Sequence, residues 1–195
     1  MPEGEPLPVE FDELLAAEFN YIAQTAIQAN EDRARVSSFY LIAVGSVVAA
    51  LLGTQLFDIN SPLQTVNLIF SGLFALLTLL GSSTVMQLAR LRTAWHESAL
   101  AMNQMKDFMI SQNSTLNQAF RWKTSTLPSK YKKDSISYYQ AFEVALISGM
   151  MGGAAVFFLL RALFQPFGFL QFLFSALIVI ATIIIHLFIY QKALR

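Results

Sequence analysis

The sequence predicts an all-α polytopic membrane protein, with four transmembrane helices in two hairpins and a cytosolic helical bundle. Three observations carry this prediction. Apolar residues make up 55% of the 195 and charged residues only 13%, against about 25% charged in an ordinary soluble domain. The apolar residues gather into four runs, each near the length of about 20 residues that a hydrocarbon core of about 30 Å demands. The charges are segregated. Residues 1–37 hold eight acids and two bases, whereas residues 85–139 hold eight of the thirteen Lys and Arg against three acids. A net charge of zero thus hides an acidic leader and a basic middle, which attract through salt-sensitive ion pairs if they share a compartment. Cysteine is absent, which removes disulfides, thiolate metal sites and a thiol nucleophile.

Residues 1–36 read as an acidic leader and an amphipathic helix. Met1-Pro2-Glu3-Gly4-Glu5 is too acidic to open a signal peptide, so the first membrane helix is expected to direct insertion uncleaved. Pro6 and Pro8 mark a disordered start. Acids then crowd the first turns of a helix, where its dipole favours them, and Leu15, Phe19, Ile22 and Ala26 form a stripe. No Gly or Pro follows before residues 37–85, the first hairpin, so the helix is expected to run on into a span at 37–56. Asp58-Ile59-Asn60-Ser61-Pro62 is a turn, and the second span covers 66–85.

Residues 86–139 form the cytosolic basic segment. Leu88, Leu91, Trp95, Ser98, Met102, Met105 and Met109 alternate three and four apart, a heptad seam that continues the second span. Two readings stand for it: packing on the amino-terminal helix, or an oligomer interface that flexible Met side chains can repack. Residues 111–135, with Pro128, read as a helical reversal. Asn113-Ser114-Thr115 fits a glycosylation acceptor that would be idle in the cytosol. The second hairpin, residues 140–190, has spans at 140–163 and 169–190 around the turn Gln165-Pro166-Phe167-Gly168. A short basic tail, residues 191–195, closes the chain. The positive-inside rule puts both termini and the basic middle in the cytoplasm, with the spans in the cell's inner (plasma) membrane.

A faint repeat at an offset of 99 pairs Ser38-Phe39-Tyr40 with Ser137-Tyr138-Tyr139, and Ser46, Ala49, Ala50 and Gly53 with Ala145, Ser148, Gly149 and Gly152. Such a parallel duplication occurs in transporters, although aromatic span ends and small packing residues also arise without one.

Small residues are the firmest local signal. Gly45, Ala49 and Gly53 stand four apart, as do Ala141, Ala145, Gly149 and Gly153, with Gly152 alongside. In lipid this spacing lets helix backbones approach closely. Spans one and three are therefore expected to form the packed centre, within one subunit, around a pore or between subunits. The fourth span, with Phe172, Phe174, Leu177, Ile178, Ile180, Ile183 and Ile184, is expected to face lipid. Ionisable groups inside a membrane are costly, which singles out Glu143 and His186. Both fall near the cytoplasmic face, where their heights allow a Glu143–His186 pair that acts as a proton-sensitive gate, or else both reach the interface or pair merely to be satisfied. Arg161 and Asp58 stand near the other face.

Arg121, Trp122 and Lys123, then Lys130, Lys132 and Lys133 around Tyr131, interleave rings and cations. That texture suits anionic lipid headgroups or a soluble ligand such as a nucleotide, and the nearby span favours lipid. Duplex nucleic acid is not expected. His96-Glu97 lacks the second His of a zinc-protease helix. Neither a phosphate-binding glycine loop nor a nucleophile elbow appears. The reading is therefore no enzyme, with no catalytic, cofactor or metal residue.

The helix at 10–35, the hairpin at 37–85 and the Leu88-to-Met109 seam together resemble the SLATT-type membrane modules, and the wider group of small multipass effectors in bacterial conflict and phage-defence systems. The likeness is architectural, covers about half the chain, and the second hairpin departs from a two-span module. It implies pore formation or membrane disruption after a cytosolic trigger, and no residue's role carries over. The expected function is a homo-oligomeric inner-membrane channel or pore-forming effector controlled by its cytosolic helices. The alternatives are a non-conducting anchor or scaffold that recruits a cytosolic partner, and a small transporter.

Overall fold

The computed structural model describes residues 11–53, 63–164, 166 and 168–195. The leader prolines, the 58–62 turn with Asp58, and Gln165 and Phe167 lie outside the described residues. Helix α1 spans Phe11–Gly53, α2 Leu63–Gln112, α3 Leu116–Ala119, α4 Ile136–Leu163 and α5 Phe169–Ala193, with a 3-10 turn at Thr124–Thr126. No strand occurs among the described residues. The four long helices are each long and apolar enough to cross a membrane.

Their lengths differ for a reason visible in the residues. At a rise of about 1.5 Å per residue, α1 and α2 reach about 65 and 75 Å, whereas α4 and α5 reach only about 40 Å. Nothing breaks α1 between Phe11 and Val44, and α2 passes from its apolar run into the Leu88 seam without a Pro. By contrast α4 starts sharply at Ser135, whose hydroxyl caps the Tyr138 N–H at 3.2 Å. The surplus length of α1 and α2 makes a polar half, and all four helices make an apolar half.

α1 lies antiparallel on α2 through both halves. Phe11 meets Phe108 edge-on at 6.1 Å, Lys106 lies over the Phe19 ring at 5.7 Å, and Thr25 Oγ1 shares a hydrogen bond with Ser98 Oγ at 3.0 Å. Further along, Tyr40 stands beside Gly81. The buried residues of α1 are Ala26, Ala29, Arg33, Ser37, Tyr40 and Val44. They extend the Leu15–Ala26 stripe at spacings of three and four, the face a helix offers to one neighbour.

The packed centre differs from the expectation of spans one and three. α2 and α4 form the most extensive pair, with α1 laid against α2, and α5 against α4 and one side of α2. Phe158 of α4 packs edge-on to Phe70 at 5.1 Å and stacks on Phe74 at 5.6 Å. Gly81 of α2 does the work expected of the α1 glycines: a Cβ there would strike both the Ser148 side chain and the Tyr40 hydroxyl.

Residues 120–135 also depart from the expected helical reversal. Beyond the short α3 they run mostly extended, back along α2, with the 3-10 turn interposed. Their backbone polar groups need partners, and α2 side chains supply them. Asn103 Nδ2 donates to Lys123 O at 3.1 Å, Thr124 N donates to Asp107 Oδ2 at 3.3 Å, and His96 Nε2 donates to Pro128 O at 3.1 Å. Arg92 Nε completes the set by donating to Lys130 O at 3.1 Å. Arg92, His96, Asn103 and Asp107 stand four, seven and four apart, one polar face of α2 beside the apolar seam.

Candidate functional site at the junction of the two halves

Where the polar half meets the apolar half, four helices converge on two buried arginines. Arg33 of α1 is 8% exposed and Arg92 of α2 is 7% exposed. Arg33 arrives there because it occupies the inward stripe of α1, between Ala29 and Ser37. Arg92 falls one turn after Leu88 on the most buried face of α2. Tyr190, from the last turn of α5, and Ser137, from the first turn of α4, join them and share a hydrogen bond of 2.8 Å between hydroxyls.

The two arginines are unequally satisfied. Arg92 donates to Lys130 O and lies 4.4 Å from the centre of the Trp95 ring, a favourable cation–π placement. Arg33 Nε and Nη1 are buried without a hydrogen-bond partner among the described residues. Burial, and then the charge of Arg92, hold the Arg33 guanidinium below its ordinary value, with Tyr190 opposing them. Burial lowers Arg92 in the same way, again opposed by Tyr190. Both remain cations. A buried charge without an opposite partner is expensive, and Arg33 is such a charge among the described residues.

His186 is buried and lies 2.7 Å from Ser82 Oγ through Nε2. Ser82 gives its own hydrogen to Thr78 O at 3.0 Å, so Nε2 donates and carries the ring hydrogen. The Glu143–His186 pair that their heights allowed does not form. Ala141, Val144, Ala145 and Ser148 define the inward arc of α4, and Glu143 falls outside it, exposed. His186 instead joins a group of small polar contacts between α2, α4 and α5 that includes the 3.2 Å bond from Ser148 Oγ to Thr78 O. Such bonds hold helices together in an apolar medium.

The remaining sequence-derived residues divide by surroundings. Ala145, Gly149, Gly152 and Gly153 are buried. A Cβ on Gly149 would meet the Ile183 side chain and the Val179 carbonyl, and one on Gly153 would strike Val179. Gly152 faces Thr182 and Thr78. On α1, Gly45, Ala49 and Gly53 are exposed, and a Cβ on either glycine would meet nothing within 4 Å. On α5, Phe172, Phe174, Leu177, Ile180 and Ile184 point outward, whereas Ile183 turns in to cover Gly149. Along the seam Leu88 is fully buried, and Leu91, Trp95, Met102, Met105 and Met109 are half-buried. Met109 also lines a cavity of about 280 Å³ with Ala16, Phe19, Asn20, Lys106 and Phe120.

The basic residues do not converge on one pocket. Arg121, Trp122, Lys132 and Lys133 are exposed; Lys123 is half-buried and donates to Asn117. Lys130 approaches Glu97 at 3.9 Å, an exposed pair of little energetic weight. Among the described residues no group of three His, Asp or Glu side chains could hold a metal ion. The sequence reading passed over Arg33, Arg92, Tyr190 and Gly81. Their signal was a charge lodged inside an apolar spacing: Arg33 in the Ala26-to-Tyr40 stripe, and Arg92 between Leu88 and Trp95.

No protein-family model, curated protein or solved structure matches this chain.

Proposed function

We propose that this chain is a multipass protein of the inner (plasma) membrane, crossing it four times as two hairpins with both termini and the polar half in the cytoplasm. Copies assemble into a homo-oligomeric channel or pore-forming effector that the cytosolic half controls. The observation that carries this reading is the exposed Gly45, Ala49 and Gly53 face of α1, whose two glycines have open space beside them among the described residues of the chain. Small residues at this spacing are how helices associate in lipid, so a second copy is the natural occupant. The concentration of Lys and Arg in the polar half supports its cytoplasmic side. Phe70, Phe74, Leu77 and Phe158 fill the interior of one copy, so a conducting path belongs between copies. The role as an effector rests on the architectural resemblance to the SLATT-type modules.

A second reading, a non-conducting scaffold, draws on Trp122, which is 60% exposed beside exposed Arg121. These residues offer a docking point for a cytosolic protein, a nucleotide or a lipid headgroup. A small transporter would instead depend on Glu143 or His186, and Glu143 stands exposed outside the inward arc of α4.

The test is membrane potential in bacteria expressing the wild type, Gly45→Leu, or Lys130/Lys132/Lys133→Ala at matched membrane levels. Depolarisation by wild type that Gly45→Leu abolishes is the expected result, and the triple variant reports whether the basic segment controls it. Equal depolarisation by Gly45→Leu would remove the α1 face from the pore. Silence from the wild type, together with a partner captured through Trp122, would favour the scaffold.

A further inference from the structure

We infer that Arg33 and Arg92 form a binding site for a phosphate group, enclosed where the polar and apolar halves meet. The site is cationic from within. The acids nearest in sequence are engaged or turned away: Asp32 pairs with Arg35 at 3.1 Å on the outside, and Glu31 is exposed. Glu97, five residues beyond Arg92, lies toward Lys130. The groups that do face the arginines are neutral: Tyr190, Ser137, the Trp95 ring and the Lys130 carbonyl. Among the described residues the fold therefore places two guanidiniums out of water with no carboxylate between them, and leaves two donors of Arg33 unpaired.

A phosphate answers each of these features. Its oxygens accept hydrogen bonds from several directions, and guanidinium is the side-chain cation best matched to them. The Tyr190 and Ser137 hydroxyls hold two hydrogens and make one bond with each other, so one O–H remains to donate. A chloride would offset the charge but take less advantage of a convergent donor set. The headgroup phosphate of an anionic lipid and the phosphate of a soluble nucleotide present the same chemistry. The lipid source rests on the membrane reading above, because this junction would then lie at the headgroup level. The soluble source does not. Lys132 and Lys133 differ in kind: they are exposed, and salt screens exposed charges far more than enclosed ones.

The test uses the full-length protein in a non-ionic detergent, with thermal unfolding midpoints read against added phosphatidylglycerol in one arm and inorganic pyrophosphate in the other. A saturable rise with phosphatidylglycerol alone identifies a lipid phosphate; a rise with pyrophosphate identifies a soluble one; either supports the site. Arg33→Gln or Arg92→Gln should raise the half-saturating concentration about tenfold, the loss of one charge-assisted hydrogen bond. Lys132→Ala/Lys133→Ala should leave it unchanged. Without added phosphate, Arg33→Gln should match or exceed wild type in stability, because it removes an uncompensated buried charge. With phosphate the order should reverse, a crossover that a purely structural arginine would not produce. If Arg92→Gln fails to fold, the wild-type titration and Arg33→Lys, which keeps the charge and part of the affinity, still decide. No rise in either arm, or a rise that the double lysine variant abolishes and Arg33→Gln keeps, would overturn the site. Neither outcome bears on conduction, so failure here is separable from failure of the pore reading.

Discussion

Gly45, Ala49 and Gly53 on α1 and Ala145, Gly149 and Gly153 on α4 share one spacing and have opposite surroundings. The α4 set is buried, with Val179 and Ile183 of α5 where Cβ atoms on Gly149 and Gly153 would be. The α1 set stands exposed with open space beyond it. A small-residue face thus specifies that a helix can come close, and leaves open which helix. On α4 the neighbour is α5 of the same chain. On α1 the face turned to α2 is a different one, built on Ala26 through Val44, and the glycine face is left over.

Substitutions that fill the two faces should separate them. Gly149→Leu should have the largest effect, about 3 kcal/mol of lost stability from overpacking against Ile183 and the Val179 carbonyl. It should appear as a lower unfolding midpoint in detergent and a reduced membrane level. Gly81→Ala probes the same close approach at the α1, α2 and α4 contact and should cost about 2 kcal/mol, because the Ser148 side chain and Tyr40 hydroxyl already occupy that space. Tyr190→Phe removes one buried hydrogen bond to Ser137, which should cost about 1 kcal/mol by denaturant titration. Gly45→Leu should shift single-copy stability by no more than about 0.5 kcal/mol, yet change the population of oligomers seen by cross-linking in membranes. An unchanged cross-linking pattern would return the α1 face to plain lipid contact.

The polar half offers a smaller effect remote from both faces. Burial, against the hydrogen bond to Pro128, holds His96 below its ordinary value of 6.5. The unfolded chain therefore takes up its proton first, and the stability tied to neutral His96 is present above about pH 6.5 and lost as the pH falls. His96→Gln should flatten that part of the stability profile, measured by thermal unfolding across pH.

Much of the helical layout was legible because its causes are local. Long apolar runs and the absence of Gly and Pro before Val44 each act within a few residues. What escaped depends on partners. Periodicity marked Leu88 through Met109 as a seam, but the polar face beside it, Arg92 to Asp107, reads as solvent-facing until the extended segment at 120–135 is known to need its donors. Glu143 and His186 fell at plausible heights, and only the rotation of α4 separates them. The repeat at an offset of 99 illustrates the same point. Ser46, Ala49 and Gly53 are exposed where Ala145, Ser148 and Gly152 are buried, so alike positions hold unlike environments. Arg33 and Arg92 are charges among apolar neighbours, and sequence spacing gave no reason to bring them together.

The unbroken course of α2 has a mechanical consequence. A rod of about 75 Å that pivots near its middle moves each end by about 3 Å for a tilt of 5° or so. A modest displacement at Met109 is thereby delivered to the residues around Leu63 without any bond in between having to break. Anything that leaned on the long arm in the polar half would reach the apolar half as a change of angle.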